Sequence, residues 1–552
     1  MDFNKIFDMK RYILNILILI AGLSLASCSF LEREPDFVTP DYYYKTEAEM
    51  QKALNGVYNR LIDTNGRMYS KGLFGFFVLS DEFSYTNNFL ENNIRHGSFD
   101  AADLDIGRLW EILYEGVSRA NFLIASFNDT VPEEKSRKAI LGEALFMRGY
   151  YYFLLTTCFG EVPLKLTPTV NPDEEYLAKS SLEAVYHQII DDMTRAEGLV
   201  LEIDELGSNE RISKTGVQAI LARVYLKMAG EPLTPKEERY SEKAMKYYEQ
   251  ALVYANMVIS SGKHSLNSDY AQIFINQIQN VNEPKEVLWE VGMYGNKIGA
   301  EDLAGSVGVE NGVLCRDEKF GYSGGPMTAQ KKLFDAFETA DLRRDWSIAD
   351  HQWNYDSKND VRTKIDLSDE SKPNNLWKRN PGKWRREYET GNKAQLYTAT
   401  NFPLMRYSDV LLMKAEALNA LQGPVEDAYN AVNQVRRRAY GKPLDTPDAS
   451  CDIRPGLDRD EFQQEIEDER FREFCFEGIR KWDLIRWGVY VSTMRQLASD
   501  VTSFVTNKNN KVDQVYLYCA RAGNKTTDRN VLFPIPNTEL TVNKKMTQNP
   551  GW

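Results

Sequence analysis

Glu469, Glu473 and Glu477 recur every four residues in a stretch, Asp460 to Trp487, that reads as helix. On a helix they would share one face. Paired carboxylates are what glycoside cleavage requires, one as general acid and one as base or nucleophile. Arg470, Arg472, Arg480 and Arg486 are interleaved with them, and nothing in the sequence sets a second carboxylate across a cleft. An ion-pair network is the favoured reading. If it is buried, loss of one partner strands the other charge. Of the four histidines, His96, His187, His264 and His351, none stands three or four residues from another. A zinc-type His pair and a Gly-Lys-Ser/Thr phosphate loop are missing from the sequence, and Gly324-Gly325 within Gly321 to Pro326 reads as a turn. No metal centre and no catalytic triad is expected.

Binding without chemistry needs flat rings next to planar hydrogen-bond donors. Two loop-rich stretches supply them. The first, Arg67 to Asp100, carries Tyr85, Asn87, Asn88, Phe89 and Arg95. The second, Tyr294 to Tyr388, carries Tyr294, Arg316, Tyr322, Trp346 and Trp353, with Trp377 and Trp384 beside them. Any single ring is more often packed beneath its own loop than stacked on ligand, so the groups count for more than their members.

At the N-terminus, Lys10-Arg11 precede an apolar run, Tyr12 to Ala26, that ends Leu25-Ala26-Ser27-Cys28. The run contains Asn15 and is shorter than the roughly 20 residues of a spanning helix. Basic, apolar and small-residue segments in this order describe a secretory signal. A cysteine directly after the cut marks a bacterial lipoprotein, with Cys28 acylated; a plain signal peptide cut near Ala26 is the rival. Asp2 and Asp8 are unusual ahead of the basic pair, and Met9 would make a more ordinary start.

Among 552 residues, hydrophobics at 43% and charged residues at 27% are those of a soluble globular chain. A net charge of -13 argues against nucleic acid. Cys158 and Cys475 lie in apolar helical patterns and read as buried; one disulfide among Cys315, Cys451 and Cys519 is left open. Helical periodicity dominates from Thr46 to Gly262, as in Val217, Ile220, Leu221, Val224 and Met228. From Gly262 to about Thr400 it gives way to Gly, Asn, Asp, Ser and Trp, with short strands such as Val287 to Val291. Helices return at Tyr407 to Ala439 and Asp460 to Trp487, and the tail beyond Val531 reads as extended. The expected organisation is a signal peptide (1–27), a lipid anchor and tether (28–45), an N-terminal helical region (46–262), a loop-rich ligand-binding region (263–400) and a C-terminal helical region (401–552). Helix lengths and alanine-rich faces suggest tetratricopeptide-like helix pairs, giving a mainly α fold with long loop insertions and a few short strands.

Ordered motifs carry a resemblance. They include Asn55-Gly56-Val57-Tyr58, Arg119-Ala120-Asn121, Gly142 to Tyr151, Phe159-Gly160-Glu161-Val162-Pro163-Leu164 and Leu221 to Leu226. In the second half they continue through Pro403 to Leu412, Val432 to Arg436, Glu469 to Phe474, Trp482 to Trp487 and Gln548-Asn549-Pro550-Gly551. Behind a lipoprotein signal, this series resembles the SusD/RagB family of outer-membrane nutrient-binding lipoproteins. The resemblance implies a helix-pair scaffold with a loop-borne ligand site, no catalysis and no cofactor, with a structural calcium left open. It implies capture of oligosaccharides for a SusC-like TonB-dependent channel. Glu32, Glu34 and Asp36 after the lipid cysteine imply display at the cell exterior. Peptide capture, as in the RagB branch, is the alternative; a surface glycosidase and a protein-scaffolding repeat module stand further off.

Overall fold

The computed structural model describes residues 44–62, 68–69, 79–85, 94, 97–128, 130–171, 176–294, 304–391, 393, 395–504 and 520–552. Cys28, Asn87, Asn88, Phe89, Arg95 and Cys519 lie outside them. The described residues within Lys52–Trp552 form one compact unit.

Helix α1 spans Glu47–Tyr58, α2 Leu104–Ala125, α3 Lys135–Phe159, α4 Leu182–Glu197, α5 Lys214–Met228, α6 Glu242–Ser260 and α7 Tyr270–Ile278. Later come α8 (Tyr407–Gln422), α9 (Glu426–Ala439), α10 (Arg459–Glu473), α11 (Arg480–Arg486) and α12 (Tyr490–Phe504). Their starts follow the chemistry of capping. Asp103, Ser181, Ser213, Ser241, Asp269 and Asp458 each accept a backbone N–H of the first turn, filling donors that the helix leaves open.

Neighbours in sequence pack as pairs: α2 on α3, α3 on α4, α4 on α5 and α5 on α6, with α8 set against α6. This is the helix-pair scaffold expected from the sequence. Helix α3 is buried along nearly its whole length, so its polar residues need partners. Arg148 grips Asp192 of α4 through two bonds of 2.8 and 2.7 Å, and Glu143 accepts from the Tyr58 hydroxyl and from Arg211. Gly116 of α2 fits where the Tyr151 ring passes; a Cβ there would stand 2.5 Å from it.

Among the described residues the strands form three two-stranded antiparallel sheets. Strand β1 (Phe83–Tyr85) pairs with β3 (Met327–Ala329), β2 (Val287–Val291) with β6 (Phe402–Arg406), and β4 (His351–Asp356) with β5 (Val361–Asp366). The expected strand at Val287–Val291 is present, and β6 runs directly into α8.

Two expectations are corrected, and the pairing left open between Cys315 and Cys451 is answered. The stretch Asp460 to Trp487 is not one helix: α10 ends at Glu473, the chain turns through Phe476 and Gly478 at φ of 66° and 76°, and α11 begins at Arg480. Such positive φ values end a helix, so Glu477 leaves the face of Glu469 and Glu473. The tail beyond Val531 holds a short helix, Asn537–Val542. Cys158, Cys315, Cys451 and Cys475 are free, buried thiols, so no disulfide joins Cys315 to Cys451.

Candidate ligand-binding site

The glutamates singled out from the sequence converge, but on arginines rather than on a cleft. Arg343 bonds Glu469 at 2.6 Å and Glu473 at 2.9 Å, and is bracketed by Asp341. Arg406 bonds Glu473 at 2.7 Å, Glu477 at 2.8 Å and Glu286 at 3.0 Å. Arg438 joins Glu286 and Glu473 from α9, and Lys383 closes on Glu477 at 2.6 Å. Of the four sequence-adjacent arginines, Arg472 alone bonds one of these glutamates, Glu469. Arg470 and Arg486 turn to Asp409, Asp483 and Glu416, and Arg480 to Asp81. Burial raises the Glu469 carboxyl, but Arg343, Arg472 and Arg436 outweigh it and hold the group at about 2. Glu473 is lowered further, by Arg438, Arg406 and Arg343 acting against burial. Carboxylates held ionised this firmly are poor general acids.

The aromatic residues of the second loop region gather around a short 3₁₀ turn, Arg386–Tyr388, which sequence reasoning had not picked out. Buried Arg386 donates to the carbonyl oxygens of Tyr322 and Tyr397. Glu387 accepts the Trp353 indole N–H and a bond from His351. The Tyr388 ring stands 5.6 Å from that of Trp346, tilted by 56°. One turn therefore ties three predicted residues together: Tyr322, Trp346 and Trp353. The available cue was the run Trp384-Arg385-Arg386-Glu387-Tyr388, charged and aromatic by turns within a loop.

Trp346 and Trp353 are fixed from behind. Trp346 lies on the helical turn Arg343–Ser347, rooted in the buried network through Arg343. The Arg385 guanidinium lies 4.4 Å from its ring centre and donates to its carbonyl oxygen at 3.0 Å. Gly382 passes directly beneath, where a Cβ would stand 2.3 Å from that same oxygen. Trp353 sits on β4 with Phe320 edge-on at 4.8 Å. His351, next to it, binds Asp350 at 2.8 Å and Glu387 at 3.4 Å. Burial opposes the imidazolium, but these two carboxylates prevail and raise the His351 pKa; the His351 bond holds Asp350 at about 2.

Consecutive residues at the end of α7 link this turn to Tyr294. Gln279 donates to the Tyr388 carbonyl oxygen, and Asn280 to that of Met293. Asn401 donates to Asn280 and to buried Glu290 while accepting from the Met293 N–H. The chain then delivers Tyr294 with 68% of its surface exposed. Burial, with Glu210 and Glu283 nearby, pushes Glu290 up to about 8.

Tyr388 and Arg316 are exposed, and Tyr322, Trp346 and Trp353 are half-buried. Tyr85 is buried in β1 opposite Met327 and offers no exposed ring face. Trp384 is a core residue whose indole N–H donates to Gln277. No cluster of metal-ligating side chains occurs among the described residues.

The fold and these motifs match known proteins. Residues 234–552 match the family described as the SusD family. The chain belongs to that family. Residues 29–226 match a second family description, "starch-binding associating with outer membrane". A curated relative, SusD-like protein P25 of Formosa agariphila, is 23% identical, with 95% of this chain and 96% of the relative covered. A solved SusD homologue from Bacteroides thetaiotaomicron superposes with a TM-score of 0.80 at 28% identity, covering 93% of this chain and 98% of that one. A laminarin-binding SusD-like protein superposes with a TM-score of 0.65 at 20% identity, covering 92% and 100%. Among the described residues of this SusD-family chain, no helix is long and apolar enough to cross a membrane.

Proposed function

We propose that this SusD-family protein is an outer-membrane lipoprotein that binds oligosaccharides at the aromatic face around Arg386–Tyr388 and releases them unaltered to a SusC-like TonB-dependent channel. The observation that carries this reading is the pairing of half-buried Trp346 with exposed Tyr388, where the buried Arg385 guanidinium holds the Trp346 ring from behind. Rings held in this way offer apolar faces to a sugar with little ordering cost on binding. Arg316, exposed on the same loop region, would supply hydrogen bonds to hydroxyls. The family description that joins starch binding to the outer membrane and the laminarin-binding relative favour a glycan over other cargo. The loop-rich region 263–400 is thus assigned ligand contact, and the helix pairs are assigned support.

Acylation at Cys28 would hold the protein at the membrane, facing outward. Glycoside cleavage is disfavoured because Glu469, Glu473 and Glu477 are each bound to arginine or lysine. Purified protein applied to a polysaccharide microarray should mark one glycan class. A blank array together with retention of peptides would overturn the assignment of cargo. Cys28→Ala should move the protein from the membrane fraction to the soluble one.

A further inference from the structure

A second feature lies inside the scaffold. A chamber of about 100 Å³ sits where α3, α5, α8 and α11 meet, lined among others by Tyr150, Thr157, Lys227 and Met413. That volume holds a few waters or one small ion. Three arginines border it, and each is matched by a carboxylate. Arg223 binds Asp409, Arg470 binds Asp409 and Asp483, and Arg486 binds Glu416 and Asp483. Glu477, also on the wall, is engaged by Arg406 and Lys383.

Lys227 breaks this balance. It is 4% exposed, and no carboxylate among the described residues pairs with it. Thr157, 7% exposed, leaves its hydroxyl without a hydrogen-bond partner, and so does the Nε of Arg223. A buried cation and a buried hydroxyl, both unmatched beside an open volume, are costly unless something fills it. Apart from Lys227, three arginine charges meet the three carboxylates Asp409, Asp483 and Glu416, which leaves one positive charge over.

We propose that this chamber is a binding site for a small monovalent anion, held by the Lys227 ammonium group with the Thr157 hydroxyl donating to it. The groups facing Lys227 agree with an absent counter-charge. Burial and then the positive Arg486 press its pKa down to about 7, and Asp483, Cys158 and Glu231 recover only part of the shift. A bound anion would restore the ordinary lysine range.

Bromide is the probe, with gluconate, too bulky for the chamber, as the matched salt. At constant ionic strength, replacing gluconate by bromide should raise the melting temperature of the full chain by about 1 °C per tenfold rise in bromide. Lys227→Met should abolish that rise. An equal response in both proteins, or none in either, would overturn the site. Should Lys227→Met fail to fold, crystals of the unaltered protein soaked in bromide decide the matter. An anomalous peak beside the Lys227 Nζ supports the proposal, and density for water alone refutes it.

Discussion

The Arg385 guanidinium lies 4.4 Å from the centre of the Trp346 ring, and the backbone carbonyl of Trp346 accepts from the same side chain. Stacking and hydrogen bonding by one planar group fix both the ring and its backbone. The indole is thereby set beside Tyr388 before any ligand arrives. Trp346→Ala and Tyr388→Ala should each weaken glycan binding about three- to tenfold. Arg385→Ala should do the same indirectly, by freeing the ring. Titration of each folded variant with the bound glycan checks this; undiminished affinity in Trp346→Ala would move the site elsewhere.

Glu473 is the shared partner of Arg343, Arg406 and Arg438. Glu473→Gln leaves three buried guanidinium groups short of one charge and should cost about 3–5 kcal/mol, read from denaturant unfolding. The same residue predicts acid sensitivity. Its carboxyl is lowered in the folded state, so its contribution is complete above the ordinary glutamate range and is lost as pH falls toward the folded value. Unfolding between pH 5 and pH 3 should show a shallower pH slope in the variant.

His351 works in the opposite sense. Its folded pKa lies above 6.5, so its stabilisation is complete below 6.5 and fades as pH rises through the folded value. Because Glu387 binds both His351 and Trp353, the loss should loosen the aromatic face. Melting curves from pH 6 to pH 9 should fall less steeply for His351→Gln than for the unaltered protein.

Glu290, raised to about 8, is protonated in the fold at neutral pH and ionised when unfolded. Stability therefore declines as pH climbs from the ordinary glutamate range through 8. Glu290→Gln keeps an acceptor for Asn401 and removes the titration. The variant should match the parent at pH 5 and exceed it at pH 9 in chemical denaturation.

Much of the scaffold was legible because it depends on local rules. The apolar spacing in Val217 to Met228 and the short, largely apolar segment Val287 to Val291 each predicted the element that formed. The break between α10 and α11 was signalled by Gly478, but the helical spacing of Phe471, Phe474, Cys475, Trp482 and Ile485 masked it. The ion network was legible in kind and not in partners. Arg343 reaches Glu469 across 126 residues and Glu473 across 130, and no local pattern encodes such pairings. Tyr322, Trp346 and Trp353 stood out by residue type, whereas the Arg386–Tyr388 turn that gathers them did not, since its residues resemble any charged loop. Trp384 shows the converse: the same composition, with the ring in the core.

The central claim is that the face around Trp346 and Tyr388 grips a glycan and leaves it intact. Calorimetric titration of the protein and of the Trp346→Ala/Tyr388→Ala double variant, with the recovered glycan then sized by chromatography, tests it most directly. The account predicts heat of binding for the parent, none for the double variant, and glycan of unchanged length. Equal binding by both proteins, or shortened chains after incubation with the parent, would contradict it.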